Sequence, residues 1–289
     1  MTGDERRRGI VLVTVLWAIA LLSALAMTAS LTFREFAGVM AVSRDRVQAD
    51  ALLTAGLEIA AGVLSDTDRT LEGADVGVDL TTGSVRVRLA DEGGRIDIGR
   101  APAAVLAALL RSVGAPAAAA EQAARQIVAE RGDRTDGAVR RSDDAAARRP
   151  RNEPAFTDVR QLAAVPGMAP EWIAAIMPLT TVFGSETVNP LTAPAAVIAA
   201  LPGVDQGRLE AFLAMRRAAS PDPDRLGQML GAAQQYLSTK PQRVASVELA
   251  ARLPDGYTTA ARAVITLLPQ DSQPYRVLLW QPMASFRFR

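Results

Sequence analysis

The sequence predicts an α+β chain: one long N-terminal helix packed on a small antiparallel sheet, with a large all-helical domain inserted into that sheet. Three observations carry this reading. Residues 10–33 (IVLVTVLWAIALLSALAMTASLTF) hold no charge. Alternating apolar and polar residues fall in two groups, at 76–90 and at 244–281. The stretch between the groups is alanine-rich, helical in pattern and partly self-repeating.

Composition narrows the chemistry. The chain has 289 residues, 49% of them hydrophobic, enough for a sizeable core in one or two domains. A formal net charge of +1 gives the whole chain no preference for nucleic acid or anionic membrane. Cysteine and histidine are both absent, which excludes disulfides, a cysteine nucleophile, a Ser-His-Asp triad and an ordinary zinc site. No Gly-rich segment leads into Gly-Lys-Ser/Thr, so there is no phosphate-binding loop. Sequence locates no paired-carboxylate site either, and the expectation is a protein that is not an enzyme.

The uncharged stretch comes first. As a helix, 24 residues span roughly 36 Å, enough to cross a hydrocarbon core of about 30 Å. Arg6, Arg7 and Arg8 precede it, so the positive-inside rule leaves the N-terminus cytoplasmic and exports everything after Phe33. A secretory signal cut near Ala24-Leu25-Ala26 and a buried helix of a soluble protein are the alternatives. The signal's apolar region runs only about 7–15 residues, and a soluble core helix rarely runs this long without a charge. Beyond the span, Val47, Ala51, Ala55, Ile59 and Val63 recur every four residues, predicting an amphipathic helix to about Leu64.

Strands follow. Residues 76–80 and 84–90 flank a hairpin-like turn at Thr81-Thr82-Gly83. Val85, Val87 and Leu89 alternate with Ser84, Arg86 and Arg88, the pattern of a half-buried strand. Asp91-Glu92-Gly93-Gly94 then reads as a solvated turn into a third short strand. From there strands are not expected again until about Val244. Residues 100–109 and 192–201 are identical at eight of ten positions at an offset of 92, an internal repeat with a proline in the first helical turn of each copy. Leu162-Ala163-Ala164-Val165-Pro166-Gly167 shares its outline with Ala200-Leu201-Pro202-Gly203: a helix ending at Pro-Gly before a second helix. Strands at 244–253, 258–268 and 275–281 complete the sheet, with Asp255-Gly256 as a tight hairpin signal.

The helix-hairpin-helix outline raises DNA binding, in which backbone N–H groups and basic residues meet phosphates. The turns here carry Glu171 and Asp205 in place of a second glycine. Arg140, Arg141, Arg148, Arg149 and Arg151 are interrupted by Asp143 and Asp144 and have no aromatic neighbours for base stacking. They read as a solvated loop, and nucleic acid is not expected as a partner.

Two sets of motifs carry a family resemblance. Arg8-Gly9-Ile10-Val11-Leu12 resembles the type IV prepilin signal, which implies peptidase cleavage between Gly9 and Ile10 and methylation of Ile10. The fifth mature residue, glutamate in most pilins and pseudopilins, is Thr14 here. Asp91-Glu92-Gly93-Gly94-Arg95-Ile96-Asp97, Phe156-Thr157-Asp158-Val159-Arg160-Gln161-Leu162, Val165-Pro166-Gly167 and Pro178-Leu179-Thr180-Thr181-Val182, followed by Asn189 and Thr192-Ala193, resemble the body of general secretion pathway protein K, the type II secretion pseudopilin family that typically lacks the glutamate. The family's Asn-x-Asn-Thr-Ala pattern is altered here to Asp97-Ile98-Gly99-Arg100-Ala101 and Asn189-Pro190-Leu191-Thr192-Ala193.

The resemblance implies a pilin-like helix and sheet with a helix-hairpin-helix, SAM-like insertion. Its units would be a leader at 1–9, a transmembrane half-helix at 10–33 and a periplasmic half at 34–65. The two parts of the sheet region would be 66–98 and 241–289, with the insertion at 99–240. It implies a minor pseudopilin at the tip of the type II secretion pseudopilus that initiates assembly and supports export across the outer membrane. It places the protein single-pass in the bacterial inner membrane with a periplasmic body. The implied partners are the other minor pseudopilins (I, J and H), the major pseudopilin, the prepilin peptidase and the inner-membrane assembly platform. Some members bind calcium in the helical domain. Here the acidic stretch is thinned to Arg131-Gly132-Asp133-Arg134-Thr135-Asp136. That leaves Asp133 and Asp136 as candidate ligands against the 6–8 oxygens calcium takes, and no other cofactor is implied. A membrane-anchored helix-hairpin-helix DNA receptor and a minor pilin of a type IV pilus are the alternative functions.

Overall fold

The computed structural model describes residues 3–66, 75–140, 155–217, 223–240, 242–268, 271 and 273–283; the side chains of residues 3–14, 29–39, 132–140 and 223–224 are outside the description. The chain opens with α1, Gly3–Ser65, about 95 Å of continuous helix. Its two described faces meet different surroundings. Between Val15 and Thr28 the side chains stand free of the rest of the protein, with Leu16 68% and Trp17 72% exposed. Among the described residues, Met40–Ser65 is long and apolar enough to span a membrane, but half of its most apolar stretch is buried in protein. It is the helix that covers the sheet.

The buried stripe of α1 is Ala49, Leu52, Leu53, Leu57, Ala60, Ala61 and Leu64, not the Val47–Val63 series read from the sequence. Val47 is 70% exposed. This half of α1 is apolar on most of its circumference, so periodicity alone selects no face. The sheet takes the row that sets leucines against it.

Strands β1 (Asp75–Leu80) and β2 (Gly83–Asp91) form a hairpin. After them come β3 (Ile96–Asp97), α2 (Ala103–Ser112), α3 (Ala117–Arg140) and α4 (Pro170–Ile176). Next are β4 (Thr180–Thr181), α5 (Ala195–Ala199), α6 (Gln206–Arg216) and α7 (Pro223–Met229). The chain then returns to strand in β5 (Val244–Arg252), β6 (Thr258–Leu267) and β7 (Tyr275–Met283). The five-stranded antiparallel sheet has the order β1-β2-β5-β6-β7. Val87 opposes Leu249, and Leu249 opposes Ala261, so everything from residue 92 to 243 lies between two adjacent strands.

Two cores result. One joins α1 to the inner face of the sheet through Val85, Val87, Leu89, Val247, Leu249, Ala263 and Ile265. The other lies wholly between residues 96 and 237, with Leu106, Leu109, Ile127, Phe156, Leu162, Ile198 and Phe212 among its buried members.

Several sequence expectations are corrected here. The third short strand forms, but β3 pairs in parallel with β4, outside the main sheet. Strand therefore returns at Thr180, well before Val244. A two-residue bridge carries no periodicity to read. Residues 159–164 are a 3-10 helix rather than an α-helix. Pro102 and Pro194 are N-caps just before α2 and α5 rather than members of the first turn.

At Gly56, α1 lies close against the sheet: a Cβ there would lie 2.7 Å from Leu249 Cδ2 and 3.0 Å from Val85 Cγ2. Gly56→Leu improves helix propensity yet overfills this contact. It is expected to lower stability by about 1–3 kcal/mol, read from the urea midpoint. An unchanged or raised midpoint would contradict the packing.

Candidate functional site

The Asp91–Asp97, Pro178–Val182 and Asn189–Ala193 motifs meet at one place, the junction where the sheet gives way to the insertion. At the end of β2 the chain turns through a 3-10 helix at Glu92–Gly94, whose N-cap is Asp91. Asp91 Oδ1 accepts from Gly93 N at 2.9 Å. Its Oδ2 accepts from Asn189 Nδ2 at 3.0 Å and from Thr192 Oγ1 at 2.6 Å. Asn189 N donates to Gly93 O at 2.7 Å. Gly94 sits so near the backbone of Thr192 that a Cβ would fall 2.8 Å from its carbonyl oxygen. Glycine is required there by close approach, not by its φ.

Asp91-Glu92 is thus not the solvated turn that its charge suggested. Asp91 is half-buried, and Glu92 is only 2% exposed and receives Arg95 Nη1 at 3.0 Å. Two neighbouring acids read as surface until a partner segment nearly a hundred residues away is brought against them. On the returning side, Gln242 Nε2 donates to Thr187 O at 3.3 Å and also reaches Ser185 Oγ. Both ends of the insertion are therefore tied to the 185–192 segment.

One step further in, Asp97 is 1% exposed. Its Oδ1 accepts from Gly99 N at 2.6 Å and its Oδ2 from Gly184 N at 2.8 Å, and Ile98 N donates to Thr181 O at 3.0 Å. The carboxylate therefore pins the β3–β4 bridge. Burial pushes the Asp97 carboxyl above its usual range, opposed by the Gly99 N–H, the Arg100 charge, the Gly184 N–H and the Arg131 charge. Burial likewise pulls Arg131 down, against the upward effect of Asp97.

The internal repeat is a structural repeat. Gly99 N donates to Asp97 Oδ1, and Leu191 N donates to Asn189 Oδ1 at 3.1 Å. Ala101 N donates to Asp97 O at 2.8 Å, and Ala193 N to Asn189 O at 3.0 Å. Pro102 (φ −58°, ψ 150°) and Pro194 (φ −55°, ψ 148°) then start α2 and α5. Every pair is separated by the same 92 positions. The turns that follow hold Gly114 and Gly203 at positive φ, as does Gly167 in the third related unit.

The remaining predicted residues fall elsewhere. Gly9, Ile10 and Thr14 are in α1, far from the junction in sequence, and their side chains are outside the description. Asp133 and Asp136 are on α3, also with undescribed side chains, and residues 141–151 of the arginine-rich stretch lie outside the described residues. Among the described residues no group of three or more carboxylates could hold a metal. The sequence reading gave Arg131 and Arg216 no role. Extending the repeat back to Asp97 and Asn189 would have exposed the shared turn, whereas no sequence signal singles out the two arginines.

Asp91→Ala removes one acceptor shared by three donors. It is expected to cost about 2–4 kcal/mol in unfolding free energy, measured by urea denaturation of the full chain in detergent; a loss below about 0.5 kcal/mol, the scale of an ordinary surface substitution, would deny the junction its role. Asp97→Asn sets an amide against the Gly184 N–H and abolishes the titration. Because the folded-state value lies above the ordinary 3.8, the Asp97 contribution is full below that value and is lost as pH rises through the folded one. The stability difference between wild type and Asp97→Asn should therefore shrink as pH rises through the acidic range. A difference that grows with pH would refute this assignment.

Residues 88–185 match the family model of Type II secretion system (T2SS), protein K. The matched stretch starts in β2 and runs through the Asp91–Asp97 turn, α2, α3 and the 156–165 motif to β4. The fold is similar to a chain in the crystal structure of the GspK-GspI-GspJ complex from the enterotoxigenic Escherichia coli Type 2 Secretion System, with a TM-score of 0.57 and 17% sequence identity over 84% of this chain and 98% of that chain. At that identity the likeness is one of fold, a mixed helical and antiparallel-sheet architecture. No curated protein sequence matches the chain. The exposed apolar stretch of α1 fits a membrane anchor. The match over residues 88–185 spans the junction motifs, and over that stretch the chain is similar to protein K of the type II secretion system.

Proposed function

We propose that this protein is the tip subunit of a type II secretion pseudopilus. It initiates assembly of the fibre and supports protein export across the outer membrane, as a structural component rather than an enzyme. In this reading residues 1–9 are the leader, 10–33 cross the inner membrane once with the N-terminus cytoplasmic, and 34–65 continue as the periplasmic half of a pilin-like helix. Residues 66–98 and 241–289 make the sheet region, and 99–240 are a helix-hairpin-helix insertion of SAM-like type. The prepilin peptidase cuts between Gly9 and Ile10, and Ile10 is methylated.

The observation that carries the reading is the second core. The chain between β2 and β5 builds a separate apolar interior, so the body is far bulkier than a helix on a five-stranded sheet. A subunit of that bulk is hard to stack repeatedly within a uniform fibre and fits the end of one. Thr14 supports the same position. A glutamate in the apolar span needs a partner, and a subunit with nothing above it has none to offer. The partners in this reading are the other minor pseudopilins I, J and H, the major pseudopilin, the prepilin peptidase and the inner-membrane assembly platform. The complex of the similar fold, which contains GspI and GspJ, supports the first of these.

Co-expression of the full chain with a prepilin peptidase, followed by mass measurement of the mature N-terminus, tests the processing. The expected product begins at methylated Ile10. An N-terminus near Met27, or an uncut chain, would sink it. The tip assignment has its own test. Thr14→Glu should leave the peptidase product unchanged but lower secretion of a reporter, because it buries an unpartnered carboxyl in the membrane. Full secretion by this variant would argue against a terminal position.

A further inference from the structure

Two arginines fill equivalent positions in the insertion. Arg131, on α3, donates from Nε at 2.9 Å and Nη2 at 2.5 Å to Ile98 O, and from Nη1 at 2.9 Å to Ala101 O. Arg216, on α6, donates from Nη1 to Pro190 O at 3.2 Å and to Ala193 O at 2.5 Å. The four carbonyls are the same two positions of the repeat, 92 residues apart. The arginines themselves are not equivalent in sequence: one lies 30 residues beyond its alanine and the other 23. Each is reached from the second helix of its pair, and Arg216 also lies over the Phe212 ring at 5.6 Å. Two different helical positions have thus converged on one carbonyl pair.

The carbonyls explain the convergence. The Asx turn at Asp97 or Asn189 turns the chain sharply before the proline-capped helix. It leaves two backbone oxygens directed at one point on the inner side of the turn. Carbonyl oxygens of this kind, beside the Asp97 carboxylate in the first copy, are the donor type of a hard-cation site. The donor number does not suit calcium, which takes 6–8 oxygens. Each site offers two carbonyls. The oxygens of Asp97 are already bonded to Gly99 N and Gly184 N, and the second copy has the neutral Asn189. A planar guanidinium, with several donors in fixed directions, satisfies both oxygens at once. No buried side-chain polar atom among the described residues is left without a partner.

We infer that Arg131 and Arg216 are the resident cations of these two sites, and that neither site holds a divalent metal. The arginines lock each helix pair to the turn that launches it.

The test is a set of melting curves on the full chain in detergent, with calcium added, with a chelator, and for Arg131→Met, Arg216→Met and the two lysine variants. The wild-type midpoint is expected to be the same with calcium and with chelator. Each methionine variant should melt roughly 4–8 °C lower, unchanged by calcium. Each lysine variant should fall between, since it keeps the charge but not the fork. If a methionine variant does not fold at all, its lysine counterpart supplies the graded loss. A wild-type midpoint that rises with calcium or falls with chelator would overturn the inference. So would methionine variants that melt with the wild type.

Discussion

The Asp91 carboxylate holds together two bodies that share no continuous core. A sheet tolerates a long excursion between adjacent strands only if the excursion leaves and returns at the strand spacing, roughly 5 Å. The β2–β5 register sets that spacing, and Asp91 sets the direction in which the chain departs. By accepting from Gly93, Asn189 and Thr192 together, it orients the insertion against the end of the sheet. The Gly94 approach and the buried Glu92–Arg95 pair close the gap. A swinging attachment would need none of these groups to be satisfied. The motif Asp91–Asp97 thus has a structural role at the junction.

α1 divides its length between two apolar surroundings by a single physical rule, that apolar surface leaves water wherever it can. Its later half does so against β2, β5 and β6, where alanines and Gly56 allow a close approach. Its described earlier part has no such surface, and Val15–Thr28 stands bare. An apolar helix bare over that length fits a membrane anchor. Tyr275 joins the covering half of α1 to the edge strand through Glu58 at 3.0 Å. Burial, then the Glu58 hydrogen bond, raises the phenol above its usual value.

The insertion is assembled from a repeated device: an Asx turn, a proline cap, a short helix, a glycine turn and a second helix that returns an arginine to the start. Repetition explains how an alanine-rich stretch, with few large side chains to interlock, acquires a defined interior. The hydrogen-bonded turns place the helices, and small residues then let them pack closely.

The fold class, the exposed apolar stretch of α1, the two groups of strands and the repeat were legible in the sequence because each rests on local signals: an uncharged run, period-2 alternation, identity at a fixed offset. Gly9-Ile10 and Thr14 are likewise motif readings and are independent of the fold. The buried face of α1 was misread because apolar residues lie on more than one side of the helix between Val47 and Leu64, so a four-residue series does not pick out the side that meets the sheet. The acidic pair at 91–92 and the β3–β4 bridge were misread because their meaning lies in residues 180–192, distant in the chain. The roles of Arg131 and Arg216 were invisible because their targets are backbone carbonyls, which every residue has. Sequence by itself determined which segments are apolar, extended or helical, since those are properties of neighbours along the chain. Only the tertiary structure decided which polar groups are buried and what they hold, because a hydrogen bond depends on distance in space and the chain brings those partners together only when it folds.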